Sequence, residues 1–91
     1  VNSLRGKRAL VTGGSRGIGA ATALLFAEYG VDVAIGYRSR KEDAVRIVEQ
    51  AKTAGVRAFA YAQDIGSRDG AEALVKGAVA DLGGLDFFVG N

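Results

Sequence analysis

The chain predicts an α/β fold: a doubly wound parallel sheet with helices on its faces, here its first four strands and three helices. Three observations predict it. Short apolar runs alternate with segments of helical periodicity along the whole chain. Glycine punctuates the junctions, with 14 Gly against no Pro. The first strand–helix junction, Thr12-Gly13-Gly14-Ser15-Arg16-Gly17-Ile18-Gly19, is a glycine-rich turn of the kind that holds an anion at a helix N-terminus.

The first strand runs from Arg8 to Thr12 around Ala9-Leu10-Val11. Gly17 to Tyr29 reads as the first helix. Ile18, Thr22, Leu25, Phe26 and Tyr29 recur at three- and four-residue spacing. Gly30 stops this helix. Val31 to Tyr37 is a second strand, apolar on both faces except at Asp32, as a central parallel strand should be. Arg40 to Ala54 is the second helix, with Ala44, Val45, Val48 and Ala51 as its apolar stripe and Glu42 and Asp43 favouring its N-terminus. Arg57 to Gln63 is the third strand. Ser67 is the expected N-cap of a third helix that ends at Leu82, before Gly83-Gly84. Its expected core face is Ala71, Leu74, Val75, Ala78, Val79 and Leu82. Leu85 to Val89 is the fourth strand. Right-handed crossovers and the usual doubly wound order place the first strand between the second and the fourth.

Composition narrows the chemistry. The 91 residues allow one small domain or part of a larger one. With 48% apolar and 24% charged residues and a formal net charge of +2, the balance is that of an ordinary globular protein. No basic stripe interleaves with aromatics, so no nucleic-acid partner is expected. Cys and His are both absent. Thiolate catalysis, disulfides, Cys/His metal sites and a Ser-His-Asp triad are thereby excluded within these residues. No apolar run approaches the ~20 residues of a membrane span, and no membrane partner is expected. The absence of Cys fits a cytoplasmic setting. The fourth strand closes on Phe87-Phe88-Val89 with no helix after it. An uncovered apolar edge invites association. Residues 1–91 are therefore expected to be an incomplete part of a larger single domain.

The glycine turn is spaced Gly-x-x-x-Gly-x-Gly, at Gly13, Gly17 and Gly19. That differs from the common Gly-x-Gly-x-x-Gly fingerprint, and no Lys-Ser/Thr follows as in a P-loop. A purely structural βα turn competes with the phosphate cradle. The flanking strand and helix favour the cradle.

This run resembles the cofactor signature Thr-Gly-x-x-x-Gly-x-Gly of the short-chain dehydrogenase/reductase family. Two further segments agree. Asp64-Ile65, after the third strand, resembles the family's acidic-aliphatic pair beside the adenine. Leu85-Asp86-Phe87-Phe88-Val89-Gly90-Asn91 resembles the strand that leads into its Asn-Ala-Gly motif, with Gly90 where many members carry another Asn. The whole chain is similar to the N-terminal half of the family, and to its 3-oxoacyl carrier-protein reductase-like members in particular. The resemblance implies a Rossmann-type sheet. It implies hydride transfer between a nicotinamide cofactor and a carbonyl or alcohol substrate, and a homo-oligomer at full length. It assigns Gly13, Ser15, Arg16, Gly17, Ile18 and Gly19 to the pyrophosphate turn, Asp64 and Ile65 to the adenine, and Asn91 to the adenine ribose.

The end of the second strand selects the cofactor. A carboxylate there would accept the ribose 2′-hydroxyl of NAD, whereas a nearby Arg accommodates a 2′-phosphate. This chain has Tyr37-Arg38-Ser39-Arg40, and no acidic residue lies between Val33 and Lys41. Tyr37, Arg38 and Ser39 are taken as cofactor-binding, with Arg16 closing from the turn. NADP(H) is expected over NAD(H). Solvated loop charges are the competing reading for Arg38, and Arg40 is assigned no role. Tyr37 and Lys41 match the spacing of the family's catalytic Tyr-x-x-x-Lys, but they lie on the adenosine side, well before the place of that pair. No catalytic residue and no metal ligand is assigned. The 91 residues alone are expected to be inactive. A dinucleotide-binding module without chemistry remains the alternative.

Overall fold

The structure, a computed structural model, describes residues 4–13, 17–62 and 67–90. Its elements are β1 (Arg8–Thr12), α1 (Gly17–Glu28), β2 (Asp32–Tyr37), α2 (Lys41–Lys52), β3 (Ala58–Ala62), α3 (Arg68–Leu82) and β4 (Phe87–Val89). The four strands form one sheet in the order β3-β2-β1-β4, and every pairing is parallel. The first strand lies between the second and the fourth, as the doubly wound order requires.

Because β1 and β2 are buried on both faces, they carry apolar residues at successive positions. Ala9, Val11, Val33 and Ile35 join the cluster that includes Ala23 and Ala27 of α1 and Ala44, Val48 and Ala51 of α2. Leu10 and Ala34 pack with Leu74, Ala78 and Leu82 of α3. The helices therefore cover both faces, α1 and α2 on one side and α3 on the other.

Helix α1 buries a different stripe from the one whose spacing marks it as a helix. Its buried residues are Gly19, Ala20, Ala23 and Ala27, whereas Ile18, Leu25 and Tyr29 are 78%, 56% and 48% exposed. Both stripes satisfy helical spacing, so periodicity does not choose between them. The small stripe wins because it lets the helix approach the sheet and α2 closely enough to pack at interior density. Phe26 stays half-buried and stacks on Phe87 with ring centroids 5.5 Å apart. Helices α2 and α3 show milder versions of the same shift. Ala44, Val48 and Ala51 are buried in α2, and Leu74, Ala78 and Leu82 in α3. Val45, Val75 and Val79 lie on the exposed flanks, and Ala71 is half-buried.

Strand β4 is shorter than expected. The Asp86 N–H donates to the Arg8 carbonyl at 2.8 Å. The Arg8 N–H donates instead to the Asp86 carboxylate at 2.9 Å. A side chain has replaced a rung of the ladder, so regular pairing starts at Phe87.

Asp32, the polar exception in β2, has a structural reason. It accepts the Arg57 N–H at 2.9 Å and the Arg57 guanidinium at 2.9–3.0 Å. Arg57 then donates to the carbonyls of Asp81 and Leu82 at the end of α3. Arg8, paired with Asp86, donates to Gly83 O at 3.1 Å. Two arginines thus satisfy the negative, unpaired end of α3. The other end is capped as expected, with Ser67 Oγ accepting the Gly70 N–H at 3.0 Å.

Candidate functional site

The strand registers bring four chain ends to one edge of the sheet. Thr12 pairs with Gly36, Gly36 with Tyr61, and Tyr37 with Ala62. Val89 pairs with Val11, which leaves Gly90 level with Thr12. The carboxyl ends of β1, β2, β3 and β4 therefore line up. In an open α/β sheet that edge is where ligands bind, at the point where strand order reverses. Here the reversal falls beside β1, whose neighbours on either side are β2 and β4.

The glycine turn leaves β1 at this edge. The Gly13 N–H donates to Gly36 O at 2.9 Å, which ties the turn to the end of β2. Gly13 and Gly17 have φ of +66° and +62°. These are left-handed values that residues with a Cβ rarely adopt, so the two glycines let the chain enter and leave the turn. Helix α1 begins at Gly17, and its first-turn N–H groups, those of Gly17, Ile18 and Gly19 among them, have no intrahelical acceptor. Its first turn holds no acidic side chain to compete for the positive dipole end. Gly19 is buried against the sheet, while Ile18 projects outward. The arrangement offers an anion backbone donors, a dipole and a close approach.

Thr12 is a residue that sequence reasoning left out of the site. Its side chain is buried, and its Oγ1 donates to Val89 O at 3.3 Å. It fastens the end of β1 to the end of β4, which holds both loops at one level. A polar residue closing an apolar strand was the available signal.

Tyr37 closes β2, half-buried against the core on the α2 face. Arg38, Ser39 and Arg40 follow, all exposed. Among the described residues Arg38 has no ion-pair partner, whereas Arg40 pairs with Asp43 at 3.5 Å. Lys41 opens α2, so the Tyr37–Lys41 pair sits at the β2–α2 junction. Ser15, Arg16, Asp64, Ile65 and Asn91 lie outside the described residues.

Among the described residues no cluster of three His, Cys, Asp or Glu side chains exists to hold a metal. Tyr61 bonds to the Asp81 carboxylate and to Gly77 O on α3. Burial, and then the Asp81 carboxylate, push its hydroxyl well above the usual range. It is a packing phenol rather than a proton donor for this edge. An apolar cavity of about 670 Å³ opens beside the edge on the α3 face, between Thr12, Ala71, Leu74, Val75, Phe88 and Gly90. Phe88 is 60% exposed, whereas Phe87 and Val89 of the same strand are half-buried. No described helix is long and apolar enough to cross a membrane.

Known proteins share this arrangement. Residues 7–91 match the family described as short chain dehydrogenase. The 3-oxoacyl-[acyl-carrier-protein] reductase FabG of Staphylococcus aureus is 45% identical over 85 residues, 93% of this chain and 35% of that protein. A short chain dehydrogenase from Burkholderia cenocepacia, solved in complex with NADP, superposes with a TM-score of 0.93 at 45% identity, covering 96% of this chain and 36% of that one. A xylitol dehydrogenase with bound NAD+ superposes with a TM-score of 0.88 at 35% identity, covering 94% of this chain and 33% of that one. The chain spans about a third of the length of these relatives.

Proposed function

Because the chain belongs to the short-chain dehydrogenase family, we propose that it is the N-terminal, cofactor-binding part of a single Rossmann-type domain in an NADP(H)-dependent oxidoreductase. The reaction is hydride transfer between the nicotinamide and a carbonyl or alcohol, with a 3-oxoacyl-type substrate favoured by the similarity to FabG. A cytoplasmic setting and a homo-oligomeric assembly go with this reading.

The observation that carries the cofactor choice is the β2 end. Arg38 is exposed and unpaired among the described residues, and no carboxylate lies between Val33 and Lys41. A guanidinium placed there suits a 2′-phosphate and has no use for a 2′-hydroxyl. One relative was solved with NADP and another with NAD+, so family membership alone does not choose. The residues here bind and orient. Gly13, Gly17, Ile18 and Gly19, with Ser15 and Arg16, receive the pyrophosphate at the head of α1. Tyr37, Arg38 and Ser39 receive the adenosine phosphate, with Arg16 closing on it from the turn. Asp64, Ile65 and Asn91 take the adenine and its ribose. The bound nicotinamide supplies the hydride.

The test is a titration with both cofactors. NADPH should bind more tightly than NADH. Arg38→Asp should weaken NADPH by at least about tenfold, the value of one charge-assisted hydrogen bond, and leave NADH little changed. Equal affinities in the unmodified protein would overturn the assignment. The 91 residues alone should show no turnover of carbonyl substrates. Measurable turnover would contradict the assignment of these residues to binding alone.

A further inference from the structure

Arg40 and Lys41 are cations at the β2–α2 junction that the proposed site does not use, and of the two Arg40 is the one with an ion-pair partner among the described residues. The structure shows what holds it. Its Nη1 lies 3.5 Å from Asp43 Oδ2, and Arg46 Nη1 lies 3.2 Å from Asp43 Oδ1. The Asp43 side chain is 26% exposed, against 52% and 70% for the two arginines. One carboxylate, the most shielded of the three groups, is therefore shared by two cations. Both pairs have i,i+3 spacing, so the row Arg40–Asp43–Arg46 runs along α2 and away from Arg38. Arg40 is also the N-cap residue of α2, yet its side chain makes no capping bond. Its guanidinium is engaged by Asp43 instead. Arg38, two residues earlier, has no such partner among the described residues.

We infer that Asp43 is a specificity-determining residue of the dinucleotide site. By drawing Arg40 back along α2, it leaves Arg38 as the only arginine of the β2–α2 junction for the 2′-phosphate, and lowers the preference for NADP(H) below what Arg38 and Arg40 together would give. Asp43 touches no cofactor in this account. It acts through Arg40, as a positioning residue. The inference rests on the proposed 2′-phosphate site.

Fluorescence titration of the protein with NADPH and NADH tests it. Arg40→Ala should leave NADPH affinity within about twofold, because Arg40 is already withheld. Asp43→Asn should release Arg40 and tighten NADPH by about three- to fivefold, the range of an exposed ion pair, with NADH unchanged. Arg40→Ala added to Asp43→Asn should abolish that gain. A merely structural role, or the simple loss of a negative charge, would not make the gain depend on Arg40. A clear loss of NADPH affinity in Arg40→Ala alone would overturn the inference, even if Asp43→Asn failed to fold. An unchanged cofactor ratio in Asp43→Asn would overturn it, as would a gain that survives in the double variant. Equal affinities in the unmodified protein would instead remove the parent reading, and this one with it.

Discussion

Single glycines in this chain answer to different constraints, and their substitution should separate them. A Cβ on Gly36 would lie 2.9 Å from Leu74 Cδ2 and 3.3 Å from Cδ1, inside the buried contact between β2 and α3. Leu74 is almost fully buried, so its methyls could yield only toward the apolar cavity they border. Gly36→Ala is expected to destabilise the fold by about 1–3 kcal/mol, the usual cost of overpacking a tight core. Gly77 sits inside α3, and a Cβ there would meet the Tyr61 ring at an ordinary 3.5 Å. Gly77→Ala is expected to stabilise by up to about 1 kcal/mol through helix propensity. Urea denaturation of the two variants should therefore give opposite signs. Gly36 reads from sequence only as a small residue in a strand. The helix that forbids a larger one lies 38 residues along the chain and approaches only in the fold.

Among the elements, α3 depends most on charged neighbours. Its last carbonyls are held by Arg57 and Arg8, which Asp32 and Asp86 hold in turn. Hydrogen bonds from the Arg8 side chain, and then from its backbone N–H, keep the Asp86 carboxyl below its ordinary value of 3.8. A carboxyl depressed in the folded state adds stability above the unfolded value, and that stability is lost as pH falls through the folded one. Tyr61 works at the other end of the scale. Its hydroxyl is raised above its ordinary value of 10.0, by burial first and by Asp81 second. The stability it adds is whole below that ordinary value and declines as pH rises past it. Denaturation midpoints measured against pH should thus fall on an acid limb that Asp86→Asn flattens and on an alkaline limb that Tyr61→Phe flattens. The sequence shows these charges but not their pairing, because Asp32 and Arg57 are 25 residues apart and Arg8 and Asp86 are 78 apart.

At the scale of the whole molecule, helices cover both faces of the sheet but leave β4 thinly covered on the α3 side. Phe88 borders the 670 Å³ apolar cavity there. On their own, the 91 residues should bind an apolar dye and associate at high concentration. Phe88→Glu should reduce both, as read by dye fluorescence and sedimentation. Association unaffected by Phe88→Glu would place the adhesive surface elsewhere. The outer side of α1 is the next candidate, where Leu4, Leu25, Phe26 and Tyr29 border a smaller apolar hollow.

The sequence by itself determined the class of fold, the order of the elements and the strand–turn–helix proposed to hold an anion. Those features depend on local chemistry: apolar runs, glycine at left-handed positions, a Ser cap, and the dipole of the helix that follows. It also carried the family, through the spacing of Gly13, Gly17 and Gly19, the pair after the third strand and the fourth strand with the residues that follow it. Only the tertiary structure decided which stripe of α1 faces the core, because the alanine stripe and the larger apolar stripe share one period and differ only in how closely they let the helix approach. Only the structure levelled the four strand ends on one edge, fixed Thr12 across β1 and β4, and paired Arg40 with Asp43 while leaving Arg38 exposed. Register and side-chain pairing are set by what each residue meets across the fold.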